Sequence, residues 1–254
     1  MSTEAPASAC TDAQAARGIS SMATKALLAA LASRYDERCG QRVQVESVGG
    51  VDAARRVRAA EAFDFAVLAA DVIDQLIVSG HVDAHSRIDV ARSSLALAVR
   101  AGAPVPDVTT EAALREAVLC ARGVGYSTGP SGAHVIRLFE RWGIAAAIAP
   151  SAVQAPPGVP VGMLVARGEV ELGFQQRSEL IDLPGITCLT SLPPEVQLDT
   201  VFSAGVCRTA RQRDAASAFL AFLASPETGA DKVRHGMASV QAGPAAARRN
   251  RGPM

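Results

Sequence analysis

The sequence predicts an α/β protein of two lobes with a ligand cleft between them, joined by two strands that cross from one lobe to the other. Three observations lead there. Short apolar runs alternate with amphipathic helical stretches along most of the chain, the pattern of parallel βαβ units. One run, Ile88–Arg100 (IDVARSSLALAVR), is too long for an ordinary sheet strand and breaks that rhythm. Loops rich in Gly, Ser and Thr stand where strands end and helices begin, the place at which open α/β sheets bind ligands.

The elements follow in order. Residues 1–16 are small and polar without periodicity and are expected to form a disordered leader. Residues 17–20 form a strand, and residues 23–34 a helix with Leu27, Leu28 and Leu31 on one face. A strand over 42–48 alternates Val43, Val45 and Val48 imperfectly; a helix over 51–60 and a buried strand over 63–69 come next. The helix over 71–79 turns Val72, Leu76 and Ile77 inward and is stopped by Gly80. The long run Ile88–Arg100 then crosses between lobes, and Pro104 and Pro106 mark a loop. A second βα series has helices over 110–121, 132–142 and Val161–Arg167, with strands over Val124–Tyr126, 152–155 and 170–174. The strand-like stretch 198–207 (LDTVFSAGVC) returns the chain to the first lobe, and helices over 214–224 and 226–235 finish it. Lobe 1 is thus expected to comprise 17–91 with 203–242 and lobe 2 to comprise 92–202. Residues 243–254, rich in Pro, Gly and Arg, are expected to form a disordered basic tail.

Composition narrows the function classes. The 254 residues fit about two domains at ~150 residues each. With 49% hydrophobic and 20% charged residues, the chain can build its core without disulfide or metal staples. Its 25 basic residues balance 25 acidic ones, and aromatics reach only 4%, so neither a nucleic acid nor an acidic membrane surface is expected as partner. Cys10, Cys39, Cys120, Cys188 and Cys207 include no C-x-x-C pair, which reads as reduced, mostly buried thiols in a reducing compartment. The first ten residues hold neither a basic n-region nor an apolar h-region, so as it stands the chain is expected to be cytoplasmic; with an export segment trimmed away it would be periplasmic. The longest apolar stretches, such as 26–32, fall short of a membrane span.

The sharpest local signal is Gly125-Tyr-Ser-Thr-Gly-Pro-Ser-Gly132, where a strand ends in glycines and hydroxyls and a helix begins at once. A helix start leaves backbone N–H groups free and carries about half a positive charge. Ser127, Thr128 and Ser131 add hydroxyl donors, while Gly129 and Gly132 would let an anion approach the backbone. The bland alternative is an ordinary N-cap. The same grammar recurs at Ser20-Ser21 and, more weakly, at Ser47-Val-Gly-Gly50 with Gly49 and Gly50, and recurrence at three strand ends favours an anion site over capping. Pro160-Val161 opens another helix whose N–H groups could face the same cleft. Gln175 and Gln176 offer amide donors, with a solvated helix start as the alternative for Gln176. Arg92, beside Ser93 and Ser94, is either a bidentate clamp for a carboxylate or a structural ion pair at the crossing. Histidines 81, 85, 134 and 235 lack metal-ligand spacing, and no metal or cofactor is expected. No G-x-S-x-G elbow, Walker A loop or G-x-G-x-x-G is present.

Six segments in order resemble the type-2 periplasmic binding proteins, in particular their molybdate-binding branch. These are residues 18–31 with Ser20-Ser21; Asp64-Phe-Ala-Val-Leu-Ala-Ala-Asp71 with Ile73-Asp-Gln-Leu-Ile77; and Val90-Ala-Arg-Ser-Ser94 running into Val99-Arg-Ala-Gly-Ala-Pro104. Residues 125–132, residues 161–176 with Ser178-Glu-Leu180, and Val201-Phe-Ser-Ala-Gly205 complete the set. The resemblance implies two Rossmann-like lobes, joined by two crossing strands, that close on an anion held by hydroxyls and backbone N–H groups. It gives Ser21 the first-loop role, Ser131 the helix-start role, Val161 a backbone N–H, and the 47–50 region the second loop. The family's late tyrosine ligand has no counterpart, since Gln175-Gln176 stands at that strand end. The Gly-Phe-Gln-Gln run with Ser178-Glu-Leu180, together with Arg92, looks closer to members that resemble aconitate isomerase and handle polycarboxylates. Two functions follow. The first is a solute-binding protein for a molybdate-like oxyanion or an organic di- or tricarboxylate, serving an ABC-transporter permease if exported. The alternative is an isomerase of an unsaturated tricarboxylate, with His134, Glu179 and Asp71 as candidate acid–base groups.

Overall fold

The structure is a computed structural model that describes residues 15–240; the expected leader up to residue 14, Cys10 within it, and the expected tail over 243–254 lie outside the described residues. The chain runs β1 (Ala16–Ser21), a 3-10 turn (Met22–Thr24), α1 (Lys25–Cys39), β2 (Val43–Val48), α2 (Gly50–Arg58), β3 (Phe65–Ala69) and α3 (Ala70–Val78). After a 3-10 turn at Ala84–Ser86 comes β4 (Ile88–Arg100), then α4 (Glu111–Cys120), β5 (Val124–Tyr126), α5 (Pro130–Arg141) and α6 (Ala145–Ile148). Next are β6 (Ala152–Gln154), α7 (Val161–Arg167), β7 (Leu172–Gln176), α8 (Arg177–Leu180) and β8 (Ile186–Leu189). β9 (Asp199–Val206), α9 (Arg213–Ala224), a 3-10 turn (Pro226–Thr228) and α10 (Gly229–Arg234) close the chain.

The strands form one curled sheet in the order β2-β1-β3-β9-β4-β7-β5-β6, with β8 also on β4. Pairs within each half, β1 with β2 and β3 and β5 with β6 and β7, are parallel, as βαβ units require. The long strand β4 joins the halves: up to Ser94 it pairs antiparallel with β9, and from Leu95 onward with β7 and then β8. β9 pairs antiparallel with both β3 and β4, so β4 and β9 are the two crossing strands.

Period-two alternation decides which core each side chain enters. On β3, Phe65 and Val67 join one apolar cluster with Leu27, Phe202 and Phe219, while Ala66 and Leu68 join another with Ile19, Ile73 and Leu76. On β4, Leu95, Leu97 and Val99 pack with Phe139 and Phe174, while Ala96 and Ala98 pack with Val161 and Val165 on the opposite face. Each half is therefore helix-covered on both faces. Gly18 is required by this packing, because a Cβ there would sit 2.2 Å from the Phe65 ring. α1 ends where Gly40 adopts a left-handed φ of 66° and its N–H bonds Asp36 O at 2.7 Å.

Several expectations shift. β7 begins at Leu172, two residues after the expected strand start at 170, because Val170 is a buried loop residue and the strand instead ends in two buried glutamines. β8 and the four-residue helices α6 and α8 were not foreseen; such short segments carry too little periodicity. The thiols are not mostly buried: Cys39 and Cys120 are exposed near helix ends, Cys188 is intermediate and Cys207 alone of these four is buried. None of the described helices is long and apolar enough to cross a membrane.

Asp64 ties the two ends of the first half together. Its carboxylate accepts the N–H groups of Arg17 (2.7 Å), Arg211 (2.7 Å) and Gln212 (2.9 Å), linking β1 to the approach to α9. Asp64→Ala leaves three part-buried donors without that acceptor and should lower stability by about 2–4 kcal/mol, read as a fall in the urea midpoint. A loss below ~0.5 kcal/mol, the size of an ordinary surface substitution, would show the junction is held by packing alone.

Candidate functional site

A cavity of about 650 Å³ opens where the carboxyl ends of β1 and β3 face those of β5 and β7, with the start of β9 between them. Residues at the first turns of three helices line it: Gly49, Gly50 and Val51 of α2, Ala70 and Asp71 of α3, and Pro130 and Ser131 of α5. In α2 and α5 the first amide bonded back into the helix is the fourth from the cap, Ala53 to Gly49 O (2.9 Å) and Ala133 to Gly129 O (3.1 Å). The preceding N–H groups of Gly50, Val51, Ser131 and Gly132 have no helical acceptor. No side chain caps α2, α3 or α5, so their positive ends reach the cavity unquenched except by Asp71 and Asp52 in the first turns.

The hydroxyls are arranged to keep protons available. Ser21 Oγ accepts Ala23 N–H at 3.2 Å, so it caps its own helix and still has its O–H to donate. Ser127 Oγ and Ser131 Oγ lie 2.9 Å apart; one proton is used between them and the other is left for a ligand. Ser21, Ser127, Ser131 and the exposed Thr128 all line the cavity. Ser20 does not: it is fully buried and bonded to Ser47 Oγ at 2.8 Å, pinning β1 to β2. Nor does Gly132 open a path to an anion, since a Cβ there would fall 1.7 Å from Ser127 O; the glycine lets the 127–131 loop fold onto its helix.

Long-range hydrogen bonds reassign the donors expected at α7. The Val161 N–H is bound to Gln175 Oε1 at 2.7 Å, and Gln175 Nε2 donates to Glu179 Oε1 at 2.8 Å. Val161 is buried and is not at the cavity surface, whereas Gln175 and Glu179 are. Desolvation pushes the half-buried Glu179 carboxyl up to about 7, the Gln175 hydrogen bond opposing it. Gln176, 1% exposed, donates Nε2–H to Thr200 Oγ1 at 2.7 Å and leaves Oε1 without a partner at the cavity wall. Turning that amide end for end keeps the Thr200 contact, because a hydroxyl donates as well as accepts, and puts N–H at the buried position that Oε1 now holds.

Two cations missed by sequence reasoning line the cavity: Arg58, at the end of α2, and Arg137, on α5. Arg58 Nη2 contacts only Gln75 Oε1 at 3.4 Å, and among the described residues neither arginine pairs with a carboxylate. The detectable signal for Arg137 is spacing, since Pro130, Ala133 and Arg137 form one helical stripe facing the cavity. His134, one residue further round, turns away and its Nε2 meets Val196 O at 2.8 Å, outside the cavity. Arg92 also lies outside it: Nη1 pairs with Asp199 at 3.5 Å, and Ser94 Oγ donates to the same carboxylate at 2.6 Å, which is the structural ion pair at the crossing. Asp71 and Asp199 line the cavity with Glu179 as its acidic groups.

Known proteins share this organisation. A family model described as bacterial extracellular solute-binding protein matches residues 17–238, from β1 through α10. An aconitate isomerase of a Pseudomonas species is 34% identical over 220 residues, which is 84% of each chain. Among solved structures, the periplasmic molybdate-binding protein of Azotobacter vinelandii superposes with a TM-score of 0.75 at 18% identity, covering 89% of this chain and 100% of that one. The sulfate-binding protein of Mycobacterium tuberculosis gives 0.71 at 15% identity, covering 90% and 88%. At such identities the two structures establish the fold alone, while the family match spans both halves of the sheet and the cavity between them: the chain belongs to the bacterial extracellular solute-binding proteins.

Proposed function

We propose that the cleft binds a small organic polycarboxylate, gripped between residues 17–91 with 203–242 on one side and residues 92–202 on the other. The observation that carries this reading is the pair of unpaired arginines, Arg58 and Arg137, placed on opposite walls of a cavity that already gathers free helix-start amides and hydroxyl protons. Neutral donors suffice for a compact oxyanion, since each hydrogen bond to an anion is charge-assisted. Two guanidiniums set apart suit a ligand whose charges are also set apart, and ~300–1,000 Å³ is the size range of pockets for small organic molecules. The isomerase relative at 34% identity points to the same substrate class by its name. Where the chain is exported, the partner for its loaded form would be an ABC-transporter permease.

Isothermal titration with molybdate, sulfate, citrate, tricarballylate and cis- and trans-aconitate tests the reading. A tricarboxylate should bind more tightly than either oxyanion. Arg58→Ala and Arg137→Ala should each weaken it about 10–100-fold, the equivalent of about 1.5–3 kcal/mol for a hydrogen bond to a charged group. Tightest binding of molybdate, or arginine variants that bind like the wild type, would refute a polycarboxylate clamp; no binding to any of these anions would remove the anion site itself.

Binding should also take up protons. The charged groups facing Glu179 across the cavity are Arg58, Asp71, Arg137 and Asp199. A bound polyanion adds negative potential and raises the Glu179 carboxyl further above its free value of about 7. Affinity should therefore be flat from this source below pH 7 and fall as pH rises from about 7 through the higher bound value. Titrations at pH 7.5 in buffers of different ionisation enthalpy should show net proton uptake that disappears in Glu179→Gln; equal enthalpies across buffers would contradict it.

A further inference from the structure

Glu179 is out of place in a site that only holds anions. Of the three carboxylates on the cavity wall, Asp199 is engaged by Arg92 and Ser94 and Asp71 stands in the first turn of α3, whereas Glu179, on the four-residue α8, brings a carboxyl with no cation beside it among the described residues. Its geometry is fixed from behind. A backbone N–H can only donate, so Val161 dictates that Gln175 presents oxygen to it and nitrogen to Glu179. Gln175 is 3% exposed and cannot swing aside without breaking both bonds. Glu179 Oε1 is thereby committed to Gln175, and Oε2 has no hydrogen-bond partner among the described residues at a position on the cavity wall. If the only task were to satisfy Gln175, an uncharged acceptor would do it without repelling the ligand. A carboxyl with one oxygen anchored and the other bare is suited to taking up and returning a proton.

We propose that Glu179 is the catalytic acid–base residue of a proton-shift isomerisation of an unsaturated tricarboxylate held in this cleft, an inference that rests on the polycarboxylate reading above. Glu179 Oε2, as carboxylate, removes a proton from a methylene flanked by a carbon–carbon double bond and a carboxylate. The electron pair of the broken C–H bond spreads over the three-carbon allylic unit and its carboxylates, where Arg58, Arg137 and the amides at the start of α5 offset the added charge. The protonated Glu179 then delivers a proton, the one it took up or one that has replaced it from solvent, to the far carbon of that unit. One C–H bond breaks and one forms, the double bond moves by one position, and neither oxidant, reductant nor cofactor is consumed. Both protonation states of the residue are populated near neutrality, as a group that is base in one half of the reaction and acid in the other requires.

The experiment follows cis-aconitate in D2O by proton NMR with wild type and Glu179→Gln, with titration of tricarballylate, which has no double bond, alongside. Wild type should exchange methylene protons for deuterium and form trans-aconitate. Glu179→Gln should bind tricarballylate at least as tightly as wild type while losing exchange and isomerisation by at least ~10²-fold, within the range for general acid–base catalysis. Glu179→Asp should restore part of the rate, whereas a purely structural acceptor role would be filled by Gln and impaired by the shorter Asp. Wild type that binds tricarballylate but neither exchanges nor isomerises aconitate overturns the proposal and leaves the binding reading standing. So does a folded Glu179→Gln that keeps wild-type exchange. Failure of wild type to bind any tricarboxylate removes the binding reading, and this proposal with it.

Discussion

The geometry of the whole molecule depends on β4 being continuous across both halves of the curled sheet. A parallel sheet delivers its helix starts to one edge, the carboxyl edge, and a single sheet can therefore present positive helix ends from one side only. β4 pairs with β9 before Ser94 and with β7 and β8 after Leu95. That change of partner brings two carboxyl edges against one cavity. The approach places α2 and α3 opposite α5, so N–H groups from independent elements face a shared volume. The clamp at the crossing, where Arg92 and Ser94 hold Asp199, keeps an acidic side chain of the cavity wall engaged with its own protein. Asp64 supports the arrangement from the far end by tying β1 to the approach to α9.

The cavity wall also follows a consistent accounting of protons. Buried polar groups need partners, and apart from Gln176 Oε1 most of those at the wall are satisfied in ways that leave donors facing the cavity. Ser21 accepts and keeps its O–H; the Ser127–Ser131 pair uses one proton and keeps another. Gln175 is the exception, because both ends of its amide are spent on Val161 and Glu179. Its part in the site is therefore indirect: it takes up the helix-start amide of Val161 and donates to a carboxyl on the cavity wall.

Legibility in the sequence tracked how local each feature is. The βα alternation, the long crossing strand and the helix-start loops at Ser21, Gly49–Gly50 and 127–131 were readable because strand, loop and helix are adjacent along the chain. Arg58 and Arg137 were not, since each sits a full turn or more into its helix, and only the facing of that helix turns the side chain to the cavity. The Val161–Gln175 bond joins residues 14 apart through a sheet and a helix start, and no pattern signals it. Gly132 illustrates a third limit: the residue type was informative, but the close neighbour it accommodates is Ser127 O rather than an anion. Likewise the apolar count along 170–176 favoured Val170 over Gln175 and Gln176, whereas the strand buries the glutamines because each finds a hydrogen bond.

A flytrap that only carries its ligand and one that transforms it differ by very little on this scaffold. Closure around a polyanion excludes water, strengthens every hydrogen bond to the ligand, and raises the basicity of any carboxyl trapped beside it. In a carrier that last effect is pure cost, and a neutral residue at position 179 would avoid it. In an isomerase the same effect is the driving force: the tighter the cleft holds the negative ligand, the more strongly Glu179 seeks a proton, and the nearest carbon-bound one belongs to the ligand itself. The arginines then act on both steps, holding carboxylates in the ground state and offsetting the extra charge once the proton has moved. On the proposal above, binding architecture and catalysis share a single cleft, and a neutral or an ionisable side chain at position 179 is what separates them.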